Sequence, residues 1–481
     1  MVVIQRLPRG AREYARSKRF LHLVLTAENE DTFKTILAIT FTNKAAQEMK
    51  DRIVFTLQEF ATSNELKGRE AVLLEQLIKE TNLSESELRS RSKNVLFSLL
   101  HHYGDFSVST IDSFTHRLVK SFSFDLKIPS NFKVELDVNS LLTMAVNELL
   151  FEIGNNDSLP TKILEDFVEK QVDDEKSWNI NNLLVEFAKP LLRDDNNREI
   201  AALEEVELDV FKKIADKHQK ECESLEKQIS EIADEGLSYI HDNNLAEYVS
   251  RGSLLIRLKS FKDSDFEKIA NDEPDFYNNP DKWFKKDLEK NFPDSDSIKI
   301  KAHSYIESII ELYEKYVYHN IIANEVFRTG TLSLVGEHLE LLKKQLNTLH
   351  ISDFNKSIGD VVQSEPAPFI YERLGEHYRH YMLDEFQDTS IIQWHNLIPL
   401  LGNALSQGGS SLIVGDAKQA IYRFRGGEAR QFVALPELYN PYNDQVIAGW
   451  QAPFLNVEDS SPLDHNFRSW QNIVKFNNEF F

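Results

Sequence analysis

The sequence predicts an α/β protein, a parallel sheet interrupted by a mostly α-helical block, and three observations carry that reading. Short apolar runs such as Leu37–Thr40, Tyr381–Leu383 and Ser411–Gly415 are continuous rather than alternating, which suits strands covered on both faces. Each run ends in a small, acidic or glycine-bearing junction, the form of a strand passing into a loop or helix. Between about 140 and 345 the period changes to three- and four-residue steps, in Leu203, Val206, Val210, Phe211 and Ile214 and then Leu225, Ile229 and Ile232, which is helical.

Along the chain, Leu37-Ala38-Ile39-Thr40 enters a helix through Phe41, Thr42, Asn43 and Lys44, and Val108 to Phe114 repeats that strand-to-loop form. The helical period returns in Tyr305, Ile309, Ile310, Tyr313 and Val317, then in Leu339, Leu342 and Leu346. Pro274, Pro280 and Pro293 make Asn271–Asp294 an irregular connection, and Pro366 and Pro368 end a returning helix over Ser364–Pro368. Tyr381, Met382 and Leu383 then close a buried strand, so Asp384 and Glu385 emerge at its carboxyl end, where open α/β sheets bind ligands. Adjacent carboxylates there suit a metal–nucleotide site: one acid holds the metal and the other orients or deprotonates a water. After Ser411–Gly415, Tyr422, Arg423, Phe424 and Arg425 alternate rings and guanidinium groups, as single-stranded nucleic acid requires, with rings stacking bases and arginines meeting phosphates. Phe467 beside Arg468 repeats the pairing near the end.

Composition bounds the rest. With 481 residues and 41% apolar content, the chain can bury two or three domain cores. The single cysteine, Cys222, excludes a disulfide framework and a cysteine-based zinc site and fits a reducing, cytoplasmic setting. No leader and no apolar run of membrane-spanning length is present, so no membrane role is expected. The spacing of His377 and His380 resembles a metal pair but lacks further ligands nearby. A net charge of -22 runs against nucleic-acid binding, and the acids concentrate in the helical middle, where they read as a solvated face.

TFTNKAA at 40–46, TIDSF at 110–114, LDEFQDTS at 383–390, VGDAKQAIYRFRGGE at 414–428 and LDHNFRS at 463–469, in that order, resemble the motifs of superfamily 1 DNA helicases of the UvrD/Rep/RecB type. The resemblance implies a RecA-like P-loop NTPase domain that uses ATP and Mg²⁺. Asp384 would hold Mg²⁺ through water, Glu385 would activate the attacking water, Gln419 would sense the γ-phosphate, Arg468 would stabilise its charge and Phe467 would stack on the adenine. Phe41, Thr42, Asn43, Thr110, Tyr422, Phe424 and Arg425 would track DNA, with phenylalanine at 424 where several relatives have tryptophan. The implied function is ATP-dependent 3′ to 5′ translocation on single-stranded DNA and at single/double-strand junctions, in repair or recombination. A place in a recombination complex is implied as well, and relatives of the RecB kind add a nuclease.

The chain departs from this pattern at both ends. A Gly-rich phosphate loop should precede TFTNKAA by about thirty residues, yet the first fifty residues hold only Gly10, within the basic stretch Arg9–Arg19. Codons for Gly-Ser-Gly-Lys read one base late give Ala-Arg-Glu, the triplet at 11–13, which suggests a frameshift with the frame regained near Leu21. The expected organisation is an aberrant segment 1–20 without elements of its own, a RecA-like domain from 21–140 and 346–460, a helical insertion over 141–345, and the start of a truncated second RecA-like domain at 461–481. Two other readings stand beside the helicase motor: a catalytically inactive fragment that binds only single-stranded DNA or a protein partner, and a related ATPase acting on RNA.

Overall fold

A computed structural model describes the chain except for residues 1, 7–8, 127, 130, 136, 153–160, 163, 166–167, 169–179, 194–195, 267–268, 270–276, 278–279, 365–376, 456, 460–469 and 481. Pro366, Pro368 and Pro274 therefore lie outside the described residues, as do Phe467 and Arg468. The chain divides into two compact units. One contains residues 1–141, 189–200 and 342–481, and the other contains 142–188 and 201–341. Residues 189–200 thus group with the first unit, although they fall inside the stretch read from sequence as insertion.

The first unit is built on a six-stranded sheet of order β3-β2-β6-β7-β1-β8. In chain order its elements are β1 (Val2–Arg6), α1 (Arg9–Thr26), β2 (Ile36–Thr40), α2 (Asn43–Thr62), α3 (Gly68–Thr81), α4 (Glu85–His101), β3 (Val108–Thr110) and α5 (Ile111–Ser121). After the small parallel pair β4 (Lys133–Glu135) and β5 (Thr348–His350) come β6 (His380–Leu383), β7 (Ser410–Gly415) and β8 (Val457–Asp459). Every pairing in the six-stranded sheet is parallel, with Leu37 opposite Tyr381, and Tyr381 opposite Ser411. This is the α/β architecture that the apolar runs predict.

Side-chain alternation along these strands explains why they are apolar throughout. Leu37, Ile39, Tyr381, Leu383 and Ile413 enter one core, with Phe114, Trp394 and Leu397 from α5 and the helix Ile391–Ser406. Ile36, Ala38, Met382, Leu412 and Val414 enter the other, with Leu57, Leu77 and Leu99 from α2, α3 and α4. Both faces are covered, so neither parity of residue can be polar.

The N-terminal segment corrects the expectation of an aberrant stretch 1–20 without elements of its own, since β1 and most of α1 fall within it. Val3 and Ile4 are buried on opposite sides of β1, which lies between β7 and β8. Ser17, Phe20, Leu21, Val24 and Leu25 are buried along α1 at steps of three, one, three and one, the inward stripe of an amphipathic helix. That stripe straddles residue 20, so a boundary drawn there cuts the pattern in half and hides it.

In the second unit, the helix Leu208–Asp242 buries Phe211, Ala215, Cys222, Leu225, Ile229, Ala233 and Ile240. Val210 and Ile214, read as part of the apolar face, are exposed, because the stripe runs through Phe211 and Ala215 instead. Gly236 sits against the helix Ser253–Lys262, where an added Cβ would lie 3.3 Å from the Leu258 side chain. Trp283, Phe261, Ile306 and Ile309 complete this core. No helix among the described residues is long and apolar enough to cross a membrane.

The buried stripe on α1 gives a direct test of its place in the fold. Phe20→Ala should cost about 3–5 kcal/mol, the usual loss for emptying a buried aromatic site, measured as a fall in urea midpoint at constant slope. Trypsin should leave Lys18 and Arg19 uncut under native conditions, and early cleavage there would show that α1 is not held.

Candidate active site and nucleic-acid interface

The carboxyl edge of the sheet is where the apolar constraint ends. Asp384 follows β6 and its backbone N–H still donates to the Ile39 carbonyl at 2.9 Å, so its side chain leaves the sheet between buried neighbours and is only 6% exposed. Glu385 then adopts φ 52° and ψ 39°, a left-handed conformation that non-glycine residues seldom hold. That turn reverses the chain directly after the strand and presents two consecutive carboxylates at one edge.

Gln387, buried at 1% exposure, organises what surrounds them. Its Nε2 donates to Glu385 Oε2 at 2.8 Å and to Asp388 Oδ2 at 3.1 Å, while its Oε1 accepts the Asp416 backbone N–H at 2.9 Å. A Cβ on Gly415 would come within 2.8 Å of that same Oε1 and 3.3 Å of the Phe432 ring, so a larger residue there would have to displace the amide. Asp416, just after β7, accepts from the Lys418 backbone N–H and, at 2.7 Å, from Gln419 Nε2. The structure thus joins Glu385 to Gln419 through Gln387 and Asp416, although 34 positions separate the two ends in sequence.

Asp388 carries the same edge toward the aromatic segment. Burial and then the Glu385 charge raise its pKa, and backbone N–H groups of Ile421 and Tyr422 with the Gln387 amide oppose that rise. The Tyr422 ring lies 4.6 Å from the Phe41 ring and 6.0 Å from that of Phe424. Arg425 stands 5.8 Å from both the Tyr422 and Phe424 rings. Phe424 is 67% exposed, a costly position for a large ring that packs against no core. Two segments about 380 residues apart therefore form one strip of three rings and a guanidinium, the arrangement that stacks bases and meets phosphates.

The other sequence-predicted contacts have local roles in the structure. Thr42 caps α2 by accepting the Ala45 N–H, and buried Thr110 caps α5 by accepting the Ser113 N–H. Asn43 is an exposed first-turn residue of α2. Asp112, beside Thr110, accepts from Gln393 Nε2 at 3.2 Å; burial raises its pKa and the Arg425 charge counters that. Gln387, Asp388, Asp416 and Asp112 all lie within or beside the recognised motifs, so the sequence marks their positions, but their connections depend on how the strands align.

The remaining member of the edge comes from α1. The Arg16 guanidinium makes a salt bridge to Asp384 Oδ2, with the two side chains only 9% and 3% exposed. Nothing in the sequence signals this pairing across 368 positions. The carboxylate that a divalent cation would need is thus already neutralised by a side chain. At the strand–helix junction between β1 and α1, where phosphate would meet backbone N–H groups, the sequence holds no glycine-rich run. As folded, the described residues do not fit Mg²⁺ at Asp384.

The family profile described as UvrD/REP helicase N-terminal domain matches residues 17–440, beginning midway along α1. The chain is 24% identical over 96% of its length to an ATP-dependent helicase/nuclease subunit of Bacillus cytotoxicus, of which it covers 36%. It is 25% identical over 92% of its length to the protein of the same name from Lactococcus lactis subsp. cremoris, again covering 36%. Over 29% of its length it is 34% identical to the exonuclease/helicase subunit RexA of Lactococcus lactis subsp. cremoris. The chain spans about a third of the length of the first two relatives. It belongs to the UvrD/REP helicase N-terminal domain family.

Because the Gln387 amide satisfies three groups at once, Gln387→Leu should destabilise the first unit by about 2 kcal/mol, within the range for leaving buried polar groups without partners. Urea unfolding followed by tryptophan fluorescence measures this, and an unchanged midpoint would show that water takes over the amide's bonds.

Proposed function

We propose that this member of the UvrD/REP helicase family is the single-strand-tracking part of an ATP-dependent 3′–5′ DNA helicase or translocase acting in repair or recombination. The observation that carries the reading is the strip of Phe41, Tyr422, Phe424 and Arg425, in which two half-buried rings back the exposed Phe424 ring and the Arg425 cation, a set that suits a sequence-indifferent single strand. Its linkage through Asp388 and Gln387 to Glu385 and Gln419 supports a protein in which strand position and a phosphate site are coupled. Single/double-strand junctions are the corresponding substrate. The relatives are named as subunits of helicase/nuclease assemblies, which supports a partner subunit for this chain too.

A second reading applies to the chain with Arg16 seated on Asp384: it binds single-stranded DNA without turning over nucleotide. The salt bridge favours this, because it occupies the carboxylate that a metal–nucleotide would use. The net charge of -22 adds long-range repulsion, so binding should be weak and confined to low salt.

Fluorescence anisotropy with a labelled oligonucleotide at low ionic strength tests the strip. Phe424→Ala should weaken binding about tenfold, in keeping with the loss of one base–ring stack of roughly 1–3 kcal/mol, and equal affinity for both proteins would remove Phe424 from the interface. Nucleotide turnover is a separate measurement. The chain should release no phosphate from ATP above background with or without oligonucleotide; DNA-stimulated release that disappears in Glu385→Gln would refute the second reading.

A further inference from the structure

We infer that the Arg16 guanidinium takes the position of the divalent cation at Asp384, so that this chain carries its own counter-charge in the site where a metal–nucleotide would bind. The inference rests on the proposed reading of Asp384 as the metal-holding carboxylate. A guanidinium suits a buried place of this kind because it stays charged, is weakly hydrated and donates in a plane that matches a carboxylate. Arg16 is carried there by a helix whose next turn is fixed by fully buried Phe20 and Leu21, which places its side chain at the sheet edge. The edge itself is acidic, with Glu385 next to Asp384 and with Asp388 and Asp416 joined to Glu385 through Gln387. Arg16 is therefore a cation held by Asp384 beside this acidic group, and a metal ion approaching Asp384 Oδ2 would meet a like charge already in contact with it. Removing the guanidinium without changing the fold should turn the same edge into a cation site.

The test is titration of the full chain with Mn²⁺, following the free-ion signal by electron paramagnetic resonance. Wild type, Asp384→Asn, Arg16→Met, Arg16→Gln and the double variant Arg16→Met with Asp384→Asn are compared, with circular dichroism to establish folding. Arg16→Met should bind one Mn²⁺ at least about tenfold more tightly than wild type, since contact with a like charge no longer opposes the ion, and the double variant should lose that gain. Arg16→Gln keeps a donor for Asp384 but no charge and answers the question should the methionine variant fail to fold. A wild-type chain that already binds one Mn²⁺, lost on Asp384→Asn, would overturn the inference, as would folded Arg16 variants that bind Mn²⁺ no better than wild type. Oligonucleotide anisotropy of the wild-type chain and Phe424→Ala separates this failure from failure of the helicase reading: the Mn²⁺ titration reads the Arg16–Asp384 pair, whereas weaker binding by Phe424→Ala reads the strip itself.

Discussion

One buried amide holds the carboxyl edge of the sheet together. Asp384, Glu385, Asp388 and Asp416 all leave the sheet at its carboxyl end, and four carboxylates crowded there would repel one another and resist burial. Gln387 donates to the Glu385 and Asp388 carboxylates and accepts the Asp416 backbone N–H, while Arg16 pairs with Asp384 and Gln419 donates to the Asp416 carboxylate. The left-handed turn at Glu385 is tolerated within the same arrangement. Without the amide, the turn and the segment after β7 would both lose a polar partner inside the fold.

That edge faces two ways. Through Asp416 it reaches Gln419, and through Asp388 it reaches the backbone of Tyr422 and hence the rings of the strip. Movement at the carboxylates would therefore be felt at the strip, because the connection runs through hydrogen bonds among buried and half-buried groups. Asp112 and Gln393 brace the strip from the α5 side, where the Arg425 charge acts on Asp112.

Arg16 sets a different constraint. A buried ion pair contributes little net stability when both partners are counted, yet loss of one partner leaves a stranded charge. Arg16 and Asp384 are therefore bound to each other's presence, and a helix that looks patternless when read only to residue 20 becomes an integral part of the fold. The strand before it fills the place between β7 and β8 in the sheet.

The fold class, the positions of β2, β3, β6 and β7, the helical character of the middle block and the residues of the family motifs are all legible in the amino-acid order. They are legible because they are local: a strand covered on both faces must be apolar in every residue, and a motif is contiguous. The same reading marks Phe41, Tyr422, Phe424 and Arg425 separately, without showing that they form one strip. Which distant groups meet is a matter of packing alone. The folded chain places Phe41 against Tyr422, Gln387 between Glu385 and Asp416, and Arg16 on Asp384. It also turns Val210 and Ile214 outward on a helix whose apolar period did not fix which stripe faces the core. The physical reason is common to all of these: contacts across hundreds of residues follow from strand order and helix rotation, which are set by the packing of the whole unit rather than by neighbouring residues.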